Sequence, residues 1–500
     1  MTCKPCLLPE VGKAGVLGTG WGGGVPGRGG ASGVAMERGT MRIERDTMGE
    51  VAVPAEALYG AQTARAVANF QISGWRMPAR VVRALALIKR GFAEAHGAVG
   101  ALPEPVAAAI AAAADRIWRG ELADQFPVDV FQTGSGTSTN MNVNEVVAHL
   151  AERLLGDSGQ WRVHPNDDVN RGQSSNDVVP SAVRIATLLG LRQELAGAMG
   201  ALAAELARLA EEHRTTVTLG RTHLMDAVPT TYGRIFAGWA TRLAETLGAL
   251  ERVAERLHEL PLGGTAVGSG VGCEPGVVER VIRHLVQATG LPLVVHGHPV
   301  AAIAGQEALV ATADALAGVG RVLFSLANDL RLRGSGPFGG LGELQLPAVQ
   351  PGSSLMPGKV NPVIPEAVAQ VALEVEGLAA ACRGSAALQQ LDLSHATPLL
   401  AWNLDTMMRL LSASAVALAG RCLHGLQVDA ERARELAAQS PALATALARR
   451  IGYEEAARVA RAAQAARESV ATAARRLGVL PPEELDRLLD LDALAGVERE

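Results

Sequence analysis

A chain of 500 residues is longer than one hydrophobic core usually serves, which predicts two or three domains. Its net charge of −5 and the lack of any basic, aromatic-interleaved patch exclude nucleic acid as an evident partner. Hydrophobic residues reach 48% but aromatics only 3%, a mix of Ala, Leu and Val that favours close-packed helices over a β-sandwich.

Residues 1–40 are rich in glycine (Gly18, Gly20, Gly22, Gly23, Gly24) and carry no hydrophobic signal region. They read as a disordered extension, with Met36 and Met41 as alternative starts. Cys3 and Cys6 form a C-x-x-C there, and no second pair completes a zinc site. With Cys273, Cys382 and Cys422 scattered, the set reads as reduced thiols of a cytoplasmic protein. An N-terminal domain over 41–172 is mixed, with turn signals at Pro54 and Gly60 and a helical pattern from Pro78 to Gly97. Long apolar-periodic helices are predicted over about 180–213, 229–259, 300–333 and 363–384. They fall in a central helical-bundle domain, 173–424. Ile303, Leu309, Val310, Leu316, Val322, Leu323, Leu326 and Leu330 mark the third of these helices. No run of about 18 consecutive apolar residues occurs, which predicts no membrane span. Broad apolar faces on such long helices suit a bundle packed against other subunits. Residues 425–500 return to shorter Arg/Glu-rich helices, one opening within Leu480–Leu485, and read as a small C-terminal helical domain.

Four clusters of hydroxyl and amide residues stand out, each read as opening a helix. The first, 133–150, brings Ser135, Gly136, Thr137 and Asn140; the second, 164–186, brings Ser174, Ser175 and Asn176. The third, 220–240, carries Thr222 and His223; the fourth, 351–377, carries Ser353, Ser354, Lys359, Val360, Asn361 and Glu366. Helix N-termini offer free N–H groups and partial positive charge, so clusters that converge there would hold a small dianion. Ordinary helix capping is the competing reading for any one cluster. Lysine occurs only at Lys4, Lys13, Lys89 and Lys359 among 46 basic residues, so a lysine in the body of the chain points to a need for a compact ammonium. The fourth cluster is not a nucleotide P-loop, because the glycine spacing is one too long and Val360 stands where a magnesium-binding Ser or Thr belongs. His164, Asp167 and Asp168 have no second histidine nearby, which disfavours a metal.

The segments "TGSGTSTNMN", "HPNDDVN", "SSND", "GRTH", "LGGTAVGSG" and "GSSLMPGKVNP" stand in an order that resembles the fumarase/aspartase superfamily, and within it the class II fumarate hydratases. The resemblance runs from about Arg42 to about Pro482. It implies a three-domain, mainly α fold, a homotetramer whose long helices form a shared core, and an active site built from three subunits. It implies no metal, no organic cofactor, no membrane and a small dicarboxylate substrate, with a place in the tricarboxylic acid cycle. Carried onto this chain, Ser353 is the general base, and His223 with Glu366 the other acid/base group. Ser135, Gly136, Thr137, Asn140, Ser174, Ser175, Asn176, Thr222, Ser354, Lys359, Val360 and Asn361 hold the carboxylates and the leaving group. His164, Asn166 and Asp167 correspond to a second dicarboxylate site. "TGSGT", the Ser174–Ser175 pair and Gly264 look like fumarase, whereas "DQFPVDVFQ" and "NPVIPEAVAQV" lean toward aspartase. Phe338 and Asp392 depart from the family pattern, where arginine and asparagine are usual. Aspartate ammonia-lyase and an inactive structural paralogue therefore stay open beside reversible hydration of fumarate.

Overall fold

The computed structural model describes residues 40–156 and 160–497, and the chain is mainly α-helical over them. The expected glycine-rich extension, Thr40 apart, lies outside the described residues, as do Cys3 and Cys6. The chain opens with a hairpin of β1 (Met41–Asp46) and β2 (Gly49–Pro54). Helices α1 (Ala61–Asn69), α2 (Ala79–Ala98), α3 (Glu104–Trp118) and α4 (Thr137–Leu155) follow. In α2, Leu85 to Ile88 are all fully buried, so this helix is apolar on nearly every side and must sit inside. The start of α1 has no side-chain cap of its own; Glu145 of α4 supplies it, accepting from the backbone N–H of Gly60 (2.8 Å), Gln62 (2.8 Å) and Thr63 (3.1 Å).

The bundle begins at α5 (Ser175–Gly190), which runs through a π-turn at Leu191–Leu195 into α6 (Ala196–Glu212) without leaving helical dihedrals. This rod starts five residues earlier than its apolar period suggested, because a Ser174/Asp177 capping box holds its first turn. The hairpin of β3 (Val217–Thr222) and β4 (Met225–Thr231) leads into α7 (Tyr232–Ala254). Then come α8 (Val277–Thr289), α9 (Pro299–Ala304), α10 (Glu307–Arg333), α11 (Val363–Gly384) and α12 (Thr397–Leu418). The stretch expected as one helix over 300–333 is thus broken at Gly305–Gln306, where the backbone of Gly305 is extended. Helices α7, α10, α11 and α12 pack side by side, and Gly320 lets α10 approach α11: a Cβ there would sit 3.3 Å from Val375. Short helices over 430–494 follow, most of them around a separate small core that includes Leu447, Val459, Val470 and Leu485.

By length and composition α10 could cross a membrane, yet half of its most apolar stretch is buried against its neighbours. Its outer face carries Asp314 and Arg321, paired with Arg383 and Glu376 of α11. At about 1.5 Å per residue this 27-residue helix is about 40 Å long, which sets the distance between the two ends of the bundle. At the C-terminal end of α10 the buried Glu343 joins the surrounding elements. It accepts two hydrogen bonds from Arg221 (both 3.0 Å), one from the Tyr232 hydroxyl (2.9 Å) and one from Thr218 (3.2 Å), with Arg333 at 3.6 Å. The β3–β4 hairpin, the start of α7 and the end of α10 thereby share one carboxylate. Replacing one member of such a pair strands the other charge away from water. Glu343→Gln is expected to lower the unfolding free energy by about 3 kcal/mol in urea titration, and a loss below about 0.5 kcal/mol would show that the knot does not hold the hairpin.

Candidate active site

The first two clusters meet at the N-terminal end of α10. Gly136 caps α4 in the left-handed region (φ 79°), and a Cβ there would lie 2.7 Å from Val179. This close approach lays the first turn of α4 against α5. A chain of hydroxyls results: Ser135 Oγ to Thr137 Oγ1 is 2.8 Å, and Thr137 Oγ1 to Ser175 Oγ is 2.7 Å. Two helix N-termini and three neutral hydroxyls therefore share one small region, as dianion binding requires.

Two further segments close around it. Asp177 accepts from the backbone N–H of Ser174, Gly263 and Thr265, each at 3.0 Å, which draws the 262–270 loop onto the start of α5. Burial pushes the Asp177 carboxyl up to about 7, while those same N–H groups pull it back. Asn176 donates to the Ala266 carbonyl (2.8 Å). Gly134 lies against the carbonyl of His395, too close for any Cβ, and accepts from Thr397 N (3.1 Å). Asp392 sits with Leu391 (φ 52°) in the turn of the small hairpin Gln389–Gln390/Leu393–Ser394, so the departure from asparagine falls at an exposed turn. Asp177 is not among the candidate residues of the sequence; its signal there is the Ser-x-x-Asp spacing.

Asn140 is 2% exposed and gives its amide to Asn170 Oδ1 (3.1 Å), so it braces α4 from within. His164 caps the turn Pro165–Val169, in which Asn166 and Asp167 are exposed, and its Nδ1 accepts from Asp167 N (3.1 Å).

The other two clusters lie at the C-terminal end of α10. Thr222 and His223 do not precede a helix as the sequence reading expected. They stand at the tip of the β3–β4 hairpin, exposed, with His223 (φ 56°) and Leu224 (φ 61°) both in the left-handed region. The turn geometry overrode the capping pattern, and α7 starts only at Tyr232, capped by Thr231. In the fourth cluster, Ser353 Oγ accepts from the backbone N–H of Leu355 (3.2 Å) and Met356 (2.9 Å). Lys359 Nζ donates to Asn361 Oδ1 (2.7 Å), and Asn361 Nδ2 donates to the Gly352 carbonyl, closing the base of the loop. Gly352 is obligatory, since a Cβ there would meet the Lys359 carbonyl at 1.9 Å. Lys359, Val360 and Asn361 line a cleft of about 590 Å³ with Phe338, Asp429 and Arg432. Phe338 is 99% exposed on its rim. Ser354 and Lys359 face solvent, and Glu366 is half-buried in the first turn of α11.

Within one chain no hydrogen bond or ion pair joins His223 to Glu366 among the described residues. The Ser135, Thr137 and Ser175 hydroxyls and the Ser353 loop likewise lie at opposite ends of α10. Among the described residues no group of three or more His, Cys, Asp or Glu is placed to hold a metal ion.

A family model of lyases matches residues 49–377, and a model of the fumarase C C-terminus matches residues 443–496. The chain is 43% identical over 451 residues to the class II fumarate hydratase of Thermus aquaticus, covering 90% of this chain and 97% of that one. It is 45% identical over 463 residues to the class II fumarate hydratase of Mycobacterium tuberculosis, covering 92% and 97%. The crystal structure of class II fumarase from Schistosoma mansoni superposes with a TM-score of 0.89 at 33% identity, over 91% of this chain and 99% of that chain. Matched almost end to end, with its polar loops at the two ends of a common helical bundle, the chain belongs to the class II fumarate hydratase family of lyases.

Proposed function

We propose that the protein interconverts fumarate and L-malate, adding and removing water in anti fashion through an aci-carboxylate intermediate. The observation that carries this reading is the setting of Ser353. A serine hydroxyl is a poor base until its alkoxide is stabilised. Here Ser353 Oγ already accepts two loop N–H groups, and the Lys359 ammonium is on the same loop. Ser353 takes the C3 proton of malate, and the C–H electrons pass into the adjacent carboxylate. Lys359 and Asn361 hold the charge that develops there. Collapse of this intermediate forms the double bond and expels the C2 hydroxyl, protonated by His223 with Glu366 behind it. Ser135, Thr137, Ser175, Asn176 and Thr222 supply neutral donors for the substrate carboxylates, and the His164–Asp167 turn is the second dicarboxylate site. Glycine and proline around the Ser353 loop (Gly352, Pro357, Gly358) suit a segment that closes over substrate.

This chemistry needs both ends of the bundle at once, and a rigid helix keeps them apart in one chain. The reading therefore includes a homotetramer in which each site draws its parts from different copies. The outward face of α11 supports it: Ala367, Leu373, Gly377, Ala380 and Gly384 are exposed, and small residues there let a second helix come close. Cytoplasmic location is part of the same proposal.

Loss of fumarate absorbance in plain buffer, with malate formed, is the expected result. Loss only when ammonium is added would make the protein an aspartate ammonia-lyase, and loss in neither would leave an inactive paralogue. Ser353→Ala is expected to cut kcat at least about a hundredfold while the oligomer stays assembled; turnover close to the parent would remove Ser353 from the mechanism. Lys359→Arg should also damage turnover, because a planar fork does not replace a compact ammonium in this tight loop. Light scattering is expected to give the mass of four 51.8-kDa chains, and a monomer would contradict the shared site.

A further inference from the structure

Lys89 is one of only two lysines in the body of a chain that otherwise uses arginine. It lies in α2 and is completely buried. Its Nζ donates to Asn170 Oδ1 (2.8 Å) and to Gln173 Oε1 (2.9 Å). Asn170 Oδ1 also accepts from Asn140 Nδ2 (3.1 Å) and Asn144 Nδ2 (3.2 Å). Thr137, Asn140 and Asn144 are spaced i, i+3, i+7 and share one stripe of α4. Gln173 immediately precedes the Ser174–Asn176 turn of α5.

An ammonium can only donate, whereas an amide side chain can present either its oxygen or its nitrogen. Lys89 therefore holds the oxygens of Asn170 and Gln173 inward, while their amide nitrogens donate to backbone carbonyls, Asn170 to Gln173 (3.2 Å) and Gln173 to Val169 (3.0 Å) and Arg171 (3.1 Å). Asn170, so turned, forces the amides of Asn140 and Asn144 to donate. The buried cation thus sits at the centre of a network of four amides that ties the first turn of α4 to the segment just before α5. Those are the two turns that bring Thr137 and Ser175 within 2.7 Å. Burial pushes the ammonium down to about 7, with the Asp177 carboxylate pulling the other way. A guanidinium is too large and flat for this enclosed position, which accounts for lysine in an arginine-rich chain.

We propose that Lys89 is a positioning residue for the carboxylate-holding half of the site, ordering Thr137, Ser175 and Asn176 through Asn170 and Gln173 from beneath. The proposal rests on the reading that these residues hold a dicarboxylate. Because Ser353 and His223 stand at the other end of the bundle and, among the described residues, share no hydrogen bond with this network, the effect falls on binding rather than on proton transfer.

Lys89→Met fills the same space without a donor. It is expected to raise KM for malate and the inhibition constant of succinate about tenfold or more, with kcat within about threefold of the parent. Asn170→Leu should give the same split, and the double variant no further rise, since both break one path. Unchanged constants with only a lower thermal midpoint, or fully additive effects, would overturn the proposal. If Lys89→Met does not fold, Asn170→Leu and Gln173→Leu carry the test, and parental KM values in both overturn it. A parent protein that binds no succinate by calorimetry would instead defeat the dicarboxylate reading itself, and this proposal with it.

Discussion

The rigid length of α10, about 40 Å, governs how this chain can use its polar residues. Ser353, Lys359 and His223 lie at one end, and Ser135, Thr137 and Ser175 at the other. A helix of that length, packed against α7, α11 and α12, does not bend to bring them together. In the proposed reaction either set alone is half a site: one has the proposed base and the ammonium, the other the neutral donors at two helix N-termini. The bundle acts as a spacer, and the proposed chemistry therefore draws on a second copy.

Buried carboxylates then fix each end locally. Asp177 gathers the 262–270 loop onto α5, Glu145 caps α1 from α4, and Glu343 ties the His223 hairpin to the ends of α7 and α10. In each case the carboxylate satisfies donors that the fold would otherwise leave unpaired away from water. Lys89 plays the converse part as a buried donor that orders acceptors. The functional turns thus rest on ionic groups that are themselves far from solvent, and the exposed residues above them inherit that order.

The departures at Phe338 and Asp392 take on different meanings in three dimensions. Asp392 lies in an exposed two-residue turn, where a short polar side chain is at home. Phe338 stands almost fully exposed on the rim of the cleft beside Lys359, an apolar ring where the family usually has a charge. Of the two, only Phe338 is placed to alter what enters that cleft.

Sequence alone determined the helical class, the long-helix bundle and the identity of the four polar clusters. These follow from periodicity and from side-chain chemistry, which are local properties of α10, α11 and the Ser353 loop. Resemblance added the family. It did not reveal that Thr222 and His223 crown a hairpin, because the positive φ of His223 and Leu224 depends on how β3 and β4 pair. Nor did it reveal the break before Glu307, or α8 and α12, whose faces are set by partners distant in the chain. Only the tertiary structure decided that Lys89 faces Asn170, that Asp177 reaches Gly263 and Thr265, and that half the candidate site lies a helix-length from the rest. Each of these joins residues tens of positions apart, and no local pattern encodes a contact whose geometry is set by packing.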